Sequence, residues 1–499
     1  MKRAIITGLG FSILLLAGCG GAGATDIYVG PGETHTTIQG AINAASSGDT
    51  IIVRDGTYTE NLDVGTAHLT IKSENAENGA ATTTVHAASS SDHVFDITAD
   101  YVNISGFTVT GATGSSKAGI YINAANHCNI SDNLLTENNR GIYLRCVGSD
   151  TARFNVIVNN TVSQNGDNGI RLQGANCDNN TVRNNIVSAN DEGIYIYFAD
   201  YNNITGNTVL SNTAKGIYLT SGADYNNISC NTILNNAYRG ISLLSSNYNI
   251  LAYNDVNDNG YHGIYLESSN HNTITGNNAS WNEGDGIVVL GHIHPTSYNN
   301  ISDNIANHND AGITLFDEDS CTIVNNTANS NNVGISLKCS YNNEISCNTI
   351  LNNINDGFYL YDADDNNITC NWVAFNEKHG FHLISRGWEN STGNNISYNN
   401  IIANGEYNSA SGGYEWQFYN DQEEDVSAIN NWWGTTDDNE IDASIYDDEE
   451  GKGKVTYTPK SDDGPLPCAP IPEPATLVMV ALGLLSVIGL LYRSGASGR

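Results

Sequence analysis

Residues 203–219 have the sequence Asn-Ile-Thr-Gly-Asn-Thr-Val-Leu-Ser-Asn-Thr-Ala-Lys-Gly-Ile-Tyr-Leu, and close variants of this stretch recur along most of the chain. Its opening, Asn-Ile-Ser/Thr-x-Asn, returns for example at Asn227 and Asn367. Its ending, Gly-Ile-x-Leu or a close variant, places a glycine at twelve positions that lie 22–28 residues apart: Gly119, Gly141, Gly169, Gly193, Gly216, Gly240, Gly263, Gly286, Gly312, Gly334, Gly357 and Gly380. Twelve copies at one period indicate a repeat architecture.

Each repeat contains two or three apolar runs of three to five residues, separated by Asn, Gly, Asp and Ser. Such runs are too short for helices and are bounded by turn residues, so they are predicted to be strands. Period two places Ile217 and Leu219 on one face and Tyr218 on the other. Stacked units bury a continuous core. We therefore predict an all-β, single-stranded right-handed parallel β-helix of about 12–14 coils of 22–28 residues, with corner Asn side chains in hydrogen-bonded ladders. A leucine-rich-repeat solenoid is disfavoured because the repeats lack a helical segment.

An amphipathic helix is predicted near the start, where residues 38, 41, 42 and 45 are apolar, and it would cap the open end of the solenoid. The runs Ile-Gln-Gly-Ala-Ile (38–42), Gly-Asp-Thr-Ile (48–51) and Asp-Gly-Thr-Tyr (55–58) resemble the opening of pectin-lyase-fold proteins. The downstream repeats resemble those of NosD-type periplasmic copper-binding proteins and of the related carbohydrate-binding and sugar-hydrolase domain. The resemblance covers roughly residues 26–460. It implies the fold, whereas activity must be argued from a site.

The N-terminal residues 1–24 have the pattern of a secretory signal, with a basic start and an apolar run over residues 4–17. The run Leu16-Ala17-Gly18-Cys19 resembles a lipobox, which makes Cys19 a lipidation candidate; ordinary cleavage before Thr25 is the alternative. We then predict an N-terminal cap with the first coils over 25–118 and regular repeats over 119–429. A C-terminal cap over 430–460 and a Pro-rich linker over 461–474 would follow.

The C-terminal residues 475–499 begin with an uncharged run to residue 492 that is long enough to span a bilayer. Pro472-Glu473-Pro474, the apolar run and Arg493 together resemble the PEP-CTERM sorting signal. This resemblance implies an exosortase-type sorting enzyme as a partner and a location at the cell surface. A plain membrane anchor is the alternative. Under either hypothesis the protein is exported and held outside the membrane.

The net charge of −34 and pI near 4.4 exclude nucleic acid as a partner, since nucleic-acid binding needs a basic face. The acidic surface is compatible with Ca²⁺, but no cofactor follows from charge alone. The ten cysteines form no CxxC pair. Cys230, Cys347 and Cys370 share one repeat position and are interpreted as small buried hydrophobes, with a Cys347–Cys370 bridge as the alternative.

Charged residues precede the repeat glycine on five successive coils, and tyrosines recur two residues after it. Cations beside tyrosine faces would suit an acidic sugar chain, and a general base among them would suit a lyase or epimerase. The substrate-binding candidates are Glu192, Tyr195, Lys215, Tyr218, Arg239, Tyr265 and Asp285, and the catalytic candidates are Lys215, Arg239 and His262. The alternative is a set of structural pairs between stacked neighbours.

A metal hypothesis depends on His292 and His294, which form a His-x-His pair in a long coil, with His308 a partial coil later. A plain loop is the alternative because Pro295 follows. The sequence gives no good reason to expect copper, despite the NosD resemblance.

The sequence leaves three functions open. The first is a surface-anchored β-helix that binds or organises extracellular polysaccharide without catalysis. The second is a lyase, epimerase or hydrolase for acidic glycans, although neither a pectate-lyase signature nor an Asp-Pro-His motif is present. The third is NosD-like handling of copper outside the cell membrane.

Overall fold

Three long parallel sheets run along the molecule, and most coils of the chain contribute one short strand to each sheet. The computed structural model describes residues 23–75, 82–291, 297–385, 390–410 and 413–467. Each strand pairs in parallel with the equivalent strand of the next coil, as Ile194, Ile217 and Ile241 show. The inward side chains of this series are fully buried. The predicted parallel β-helix is therefore confirmed.

Sheet I contains the Asn-Ile-Ser/Thr strands and has 18 members. Its strands are Asp26–Val29, Thr50–Val53, Thr70–Ser73, Asn103–Ser105, Asn129–Ser131, Val156–Val158, Thr181–Arg183, Asn203–Thr205, Asn227–Ser229, Ile250–Ala252, Thr273–Thr275, Asn300–Ser302, Thr322–Val324, Glu344–Ser346, Asn367–Thr369, Asn395–Ser397, Val426–Ser427 and Val455–Thr456. This number exceeds the 12–14 coils predicted, because four strands precede the first repeat glycine and two follow the last regular coil, where the motif is absent.

Sheet II follows sheet I along each coil. Its first nine strands are Gly56–Thr59, Thr83–His86, Thr108–Thr110, Leu134–Thr136, Thr161–Ser163, Ile186–Ser188, Thr208–Leu210, Thr232–Leu234 and Asp255–Asn257. Single bridging residues at Asn278, Ile305 and Thr327 continue the ladder. They lead to the last three strands, Thr349–Leu351, Trp372–Ala374 and Asn400–Ile402.

Sheet III contains the Gly-Ile-x-Leu strands and has 16 members. They are Leu62–Val64, Phe95–Ile97, Ala118–Asn123, Arg140–Arg145, Ile170–Gln173, Ile194–Tyr197, Ile217–Thr220, Ile241–Leu244, Ile264–Glu267, Ile287–Leu290, Ala311–Phe316, Val333–Lys338, Asp356–Tyr361, His379–Ile384, Phe418–Asp421 and Ile445–Tyr446.

The two ends of the solenoid differ from its middle. The predicted N-terminal helix is present at Ile38–Ala44, and its residues Ile38, Ala41 and Ile42 are buried. Near the other end lie an antiparallel pair, Glu406–Asn408 with Gly413–Glu415, a short helix, Asp438–Asp442, and a 3₁₀ turn, Asp448–Glu450. Trp433 is 1% exposed there and lies against Phe418, with ring centroids 6.3 Å apart.

Asparagine ladders join the coils at their corners, as predicted. Asn207 donates its backbone N–H to Asn231 Oδ1 at 2.9 Å and its side-chain N–H to the same oxygen at 3.0 Å. The Asn207 amide also donates to the Val182 carbonyl at 2.9 Å. Equivalent bonds recur along the ladder, for example between Asn231 and Asn254. Each amide therefore satisfies backbone groups that the turn would otherwise leave unpaired in the interior.

The prediction that Cys230, Cys347 and Cys370 are buried is wrong. All three have positive φ values of 54–57°, and Cys230 is exposed while the other two are half-buried. A left-handed residue turns the chain at the corner, so the two-residue alternation of the preceding strand ends there. A disulfide joins Cys146 and Cys177 on adjacent coils, with the Cα atoms 5.8 Å apart.

Several sequence predictions concern residues outside the described ranges. These are the signal segment with Cys19, the sorting motif at Pro472, Glu473 and Pro474, and the apolar run that ends before Arg493. Within the described part of the chain, the structure contains no helix that is both long and apolar enough to cross a bilayer.

Candidate functional site

The outer face of sheet III carries all the polar candidates from the repeat alignment. Tyr195 and Tyr218 are paired in register on adjacent strands, and their rings stack with centroids 5.1 Å apart. Tyr265 occupies the same position two coils further on, after Ser242. The four charged candidates each lie two residues before a strand of sheet III. The structure therefore brings the seven candidate binding residues to one side of the molecule.

Cations lie over tyrosine rings along this face. The Lys215 Nζ atom lies 3.9 Å from the centroid of the Tyr218 ring, and the Arg239 guanidinium lies 3.4 Å from that of Tyr265. Lys215 Nζ is also 3.9 Å from Glu192 Oε1. Burial lowers the pKa of Lys215 and raises the pKa of Glu192. These contacts hold the cationic heads against rigid aromatic surfaces, which lowers the entropy lost when an anion binds.

His262, the third catalytic candidate, is not a cation like Lys215 and Arg239. Its Nδ1 accepts a hydrogen bond of 2.9 Å from the backbone N–H of Asp285. Burial, and then the positive charge of Arg239, lower the pKa of His262 to about 4. The imidazole is therefore neutral at pH 7 and carries its proton on Nε2. Asp285 itself is held by the backbone N–H of Ala311, which donates to its carboxylate at 3.0 Å.

A second group of cations lies near the N-terminal end of the same face. Lys117, Arg140, Arg145 and Arg171 line a groove of about 350 Å³. Arg140 donates to the Asp167 carboxylate at 2.9 Å and lies 4.6 Å from the centroid of the Tyr143 ring. In the repeat alignment, Arg140 precedes Gly141 and Arg171 lies two residues after Gly169. Extending the alignment by three coils toward the N-terminus would therefore have identified this groove from the sequence.

Positive charge is concentrated on sheet III. Between residues 100 and 385 the sequence contains ten Lys and Arg residues. Eight of them lie in a sheet III strand or within two residues before one: Lys117, Arg140, Arg145, Arg171, Lys215, Arg239, Lys338 and Lys378. The other two, Arg153 and Arg183, lie in or beside sheet I. Most cations of a chain of net charge −34 thus lie on one face, called here the cationic face, which also carries acids such as Glu192, Asp285 and Asp356.

A cluster of Asp356, His379 and His382, which sequence reasoning missed, lies near the C-terminal end of the face. The Asp356 carboxylate contacts His379 Nδ1 at 2.6 Å and His382 Nδ1 at 3.0 Å. The cluster lines a groove of about 390 Å³ with Lys338 and Tyr359. The sequence contained a signal for this cluster, because Asp356 and His379 each precede a repeat glycine and His382 lies two residues after one.

The structure describes only one of the three metal candidates from the sequence. His292 and His294 lie outside the described ranges. His308 is exposed and stacks on Trp281, with ring centroids 3.8 Å apart. It belongs to neither group of potential ligands found in the described part of the chain.

Family models match the chain in two overlapping regions. The model described as periplasmic copper-binding protein (NosD) matches residues 42–238. The model described as right-handed beta helix region matches residues 191–328, 239–402 and 292–431. No curated protein matches the sequence.

Solved structures show distant similarity. The A-module of the Azotobacter vinelandii mannuronan C-5 epimerase AlgE4 has 15% identity and a TM-score of 0.49, over 58% of this chain and 89% of that chain. A mannuronic acid specific polysaccharide family 6 lyase from human gut microbiota has 12% identity and a TM-score of 0.47, over 71% and 87%. Similarity at this level carries no argument about activity.

The described residues matched by the NosD model do not bring together a group of ligands that suits copper. In the described part of residues 42–238, the group of three close ligands is Asp167, Asp191 and Glu192. These offer only oxygen, whereas copper sites in proteins favour imidazole and sulfur. Arg140 pairs with Asp167, and Lys215 lies beside Glu192. The chain is a right-handed parallel β-helix repeat protein that is similar to NosD over residues 42–238.

Proposed function

We propose that the outer face of sheet III binds an acidic polysaccharide outside the cell. The observation that carries this proposal is the placement of eight of ten Lys and Arg residues on one sheet of a strongly acidic chain. Stacked tyrosines lie between these cations, and tyrosine rings offer apolar faces to sugar rings. A charged, extended polymer is the ligand class that matches a long row of cations and aromatic rings.

The repeat spacing suits a polymer. Lys215 and Arg239 lie on adjacent coils, about 4.8 Å apart along the rod. This is roughly the length of one sugar unit, so neighbouring cations can meet successive carboxylates. Each partly exposed ion pair contributes about 0–1 kcal/mol, so we expect weak individual contacts and a strong dependence of affinity on salt.

The experiment that tests binding is a titration with an oligogalacturonate at low and high salt, with a neutral maltooligosaccharide for comparison. Replacing Lys215 and Arg239 with Ala should reduce affinity for the acidic oligomer by about 3- to 30-fold, since two contacts of up to about 1 kcal/mol are lost. The matched control replaces Arg153 and Arg183 with Ala, which removes the same charge from the other side. Equal losses in both double variants would show a nonspecific charge effect and contradict the proposal, as would equal affinity for the neutral oligomer.

A second candidate function is a lyase or epimerase acting on the same acidic polymer. The observation that favours it is the Asp356 carboxylate, which orients two imidazoles beside Tyr359 within the groove. An oriented imidazole can act as a general base. Product analysis after long incubation of the polymer would test this function. If the polymer is unchanged, the function is binding without catalysis. If the wild type changes the polymer and His382→Gln does not, the result supports catalysis.

We further propose that the protein is exported and held at the cell surface. The match to a family described as periplasmic supports export. Anchoring depends on the PEP-CTERM-like segment and its sorting enzyme. Mass spectrometry of the native surface protein tests the sorting step: loss of the segment after Pro474 supports it, and retention of Arg499 indicates a plain anchor.

A further inference from the structure

We propose that Asp356, His379 and His382 bind one divalent transition-metal ion, of the class to which Zn²⁺ and Cu²⁺ belong. This inference does not depend on polysaccharide binding. It assigns a metal site to the C-terminal part of sheet III, outside the segment that matches the copper-binding family model.

The backbone places the three ligands on two adjacent coils. Asp356 and His379 are paired in register at the start of neighbouring strands, and His382 lies on the same strand as His379. One ligand atom from each residue lies within 4.8 Å of the others. The two Nδ1 atoms lie 2.6 and 3.0 Å from the two oxygens of one carboxylate. An ion bound at about 2.0–2.2 Å from each ligand needs only small side-chain rotations.

The ligand chemistry selects the class of ion. Two imidazoles and one carboxylate suit zinc, copper and related ions, which accept nitrogen ligands. Calcium and magnesium instead require six or more oxygen ligands, counting water.

The surrounding side chains fix the two imidazoles. The His379 ring stacks on Tyr419 with centroids 4.5 Å apart, and the His382 ring meets Tyr359 edge-on at 5.4 Å. Asp356 is 5% exposed, while the His379 and His382 side chains are 14% and 17% exposed. Rings held in this way lose little freedom when an ion binds, which favours affinity.

An independent observation points to a missing partner in the same groove. Ser336 lines this groove and is 2% exposed, yet its hydroxyl makes no hydrogen bond to any described residue. A buried hydroxyl normally has a partner, so a further polar ligand is expected here. Three protein ligands leave a fourth coordination position free, and water or an anionic group in the groove could occupy it.

The test uses calorimetric titration of the metal-free full chain with Zn²⁺ at neutral pH. We expect one ion per chain, with no competition from Ca²⁺ or Mg²⁺ at similar concentration. His379→Ala and His382→Ala should each weaken binding by at least about 100-fold, the upper range for loss of an outer-shell partner. Asp356→Asn conserves the shape of the side chain and should also weaken binding. It keeps the proposal testable if a histidine variant fails to fold.

His271→Ala is the matched control, because His271 is an exposed histidine outside the cluster. It should bind Zn²⁺ as the wild type does. Co²⁺ gives a second readout, since a visible absorption band of a low-coordinate cobalt site should appear in the wild type and not in His382→Ala. The proposal is overturned if the wild type binds no Zn²⁺, which would leave a hydrogen-bonded triad only, or if the cluster variants bind as tightly as His271→Ala.

Discussion

Single asparagines at the corners connect each coil to the next. In the interior, Asn231 Oδ1 accepts a hydrogen bond from the backbone N–H of Asn207, and the Asn231 side-chain amide donates one of 2.9 Å to the Ile204 carbonyl. Asn231→Ala leaves that N–H without a partner, and a buried unpaired group costs about 1–3 kcal/mol. We expect a loss of about 2–4 kcal/mol once the bonds donated by the side chain are included, visible as a lower urea midpoint. The half-buried outward Asn227→Ala should change stability by less than about 0.5 kcal/mol.

Glu318 makes stability depend on pH. It is 1% exposed, and burial raises the pKa of its carboxyl from 4.5 to about 8. The folded state holds this proton more tightly than the unfolded chain does. The stabilising contribution is therefore fully present below about pH 4.5 and is lost as the pH rises to about 8.

Glu318→Gln should remove this dependence. We expect the variant to be more stable than the wild type at pH 8, with a smaller gap at pH 5, in thermal melting at both values. The exposed Glu344→Gln should follow the wild type. An unchanged pH slope in Glu318→Gln would contradict the assigned role.

Within the strands, the sequence correctly predicted which residues face outward. At the corners, it did not predict which residues are exposed. The Gly-Ile-x-Leu strands have a period of two, so the outward position of Tyr218 followed from the sequence. The corner after each Asn-Ile-Ser strand has a left-handed residue, which breaks this period and exposes Cys230. Gly206, Gly276 and Asp303 at the same position were the available signal, because these residue types favour positive φ.

The candidate site was partly predictable for the same reason. Alignment on the repeat glycine identified the middle of the cationic face, because equivalent positions of stacked coils must share a side. Partners across coils, such as Cys146 with Cys177 and Asp356 with His382, also require the register of two coils of unequal length. Spacing in the sequence alone does not fix that register.

The repeat glycines pack coils together and are not needed for a left-handed backbone. A Cβ atom at Gly216 would lie 2.6 Å from the Ile233 Cγ2 atom and 2.7 Å from the Gly240 carbonyl oxygen. Gly216→Ala should therefore destabilise the protein by about 1–3 kcal/mol, the usual cost of overpacking. Gly65→Ala is the control, since its nearest neighbour would be 3.7 Å away. Equal melting temperatures for the two variants would contradict this explanation.

Along the rod, the interior and the outer face of sheet III have different roles. The interior is uniform along the rod, so the outer face of sheet III is free to vary from coil to coil. Sheet I has 18 strands, which at about 4.8 Å per step gives a rod roughly 80 Å long. The groove lined by Arg140, the Lys215–Tyr218 contact and the Asp356 cluster follow one another along it. One polymer chain could therefore contact all three.

Removal of one complete coil should leave the rest of the solenoid able to fold. Residues 216–239 form one coil, because Ile217 pairs with its equivalent Ile241. Their deletion removes one rung from each Asn ladder and one strand from each sheet, so every remaining residue keeps its face. We expect a β-type circular dichroism spectrum, cooperative melting and a rod shorter by about 4.8 Å in X-ray scattering. Deletion of residues 216–227 should abolish cooperative melting, because it moves sheet I strands into sheet III positions and breaks the ladder register. Cooperative melting of the half-coil deletion would show that neither the ladders nor the alternating faces set the register.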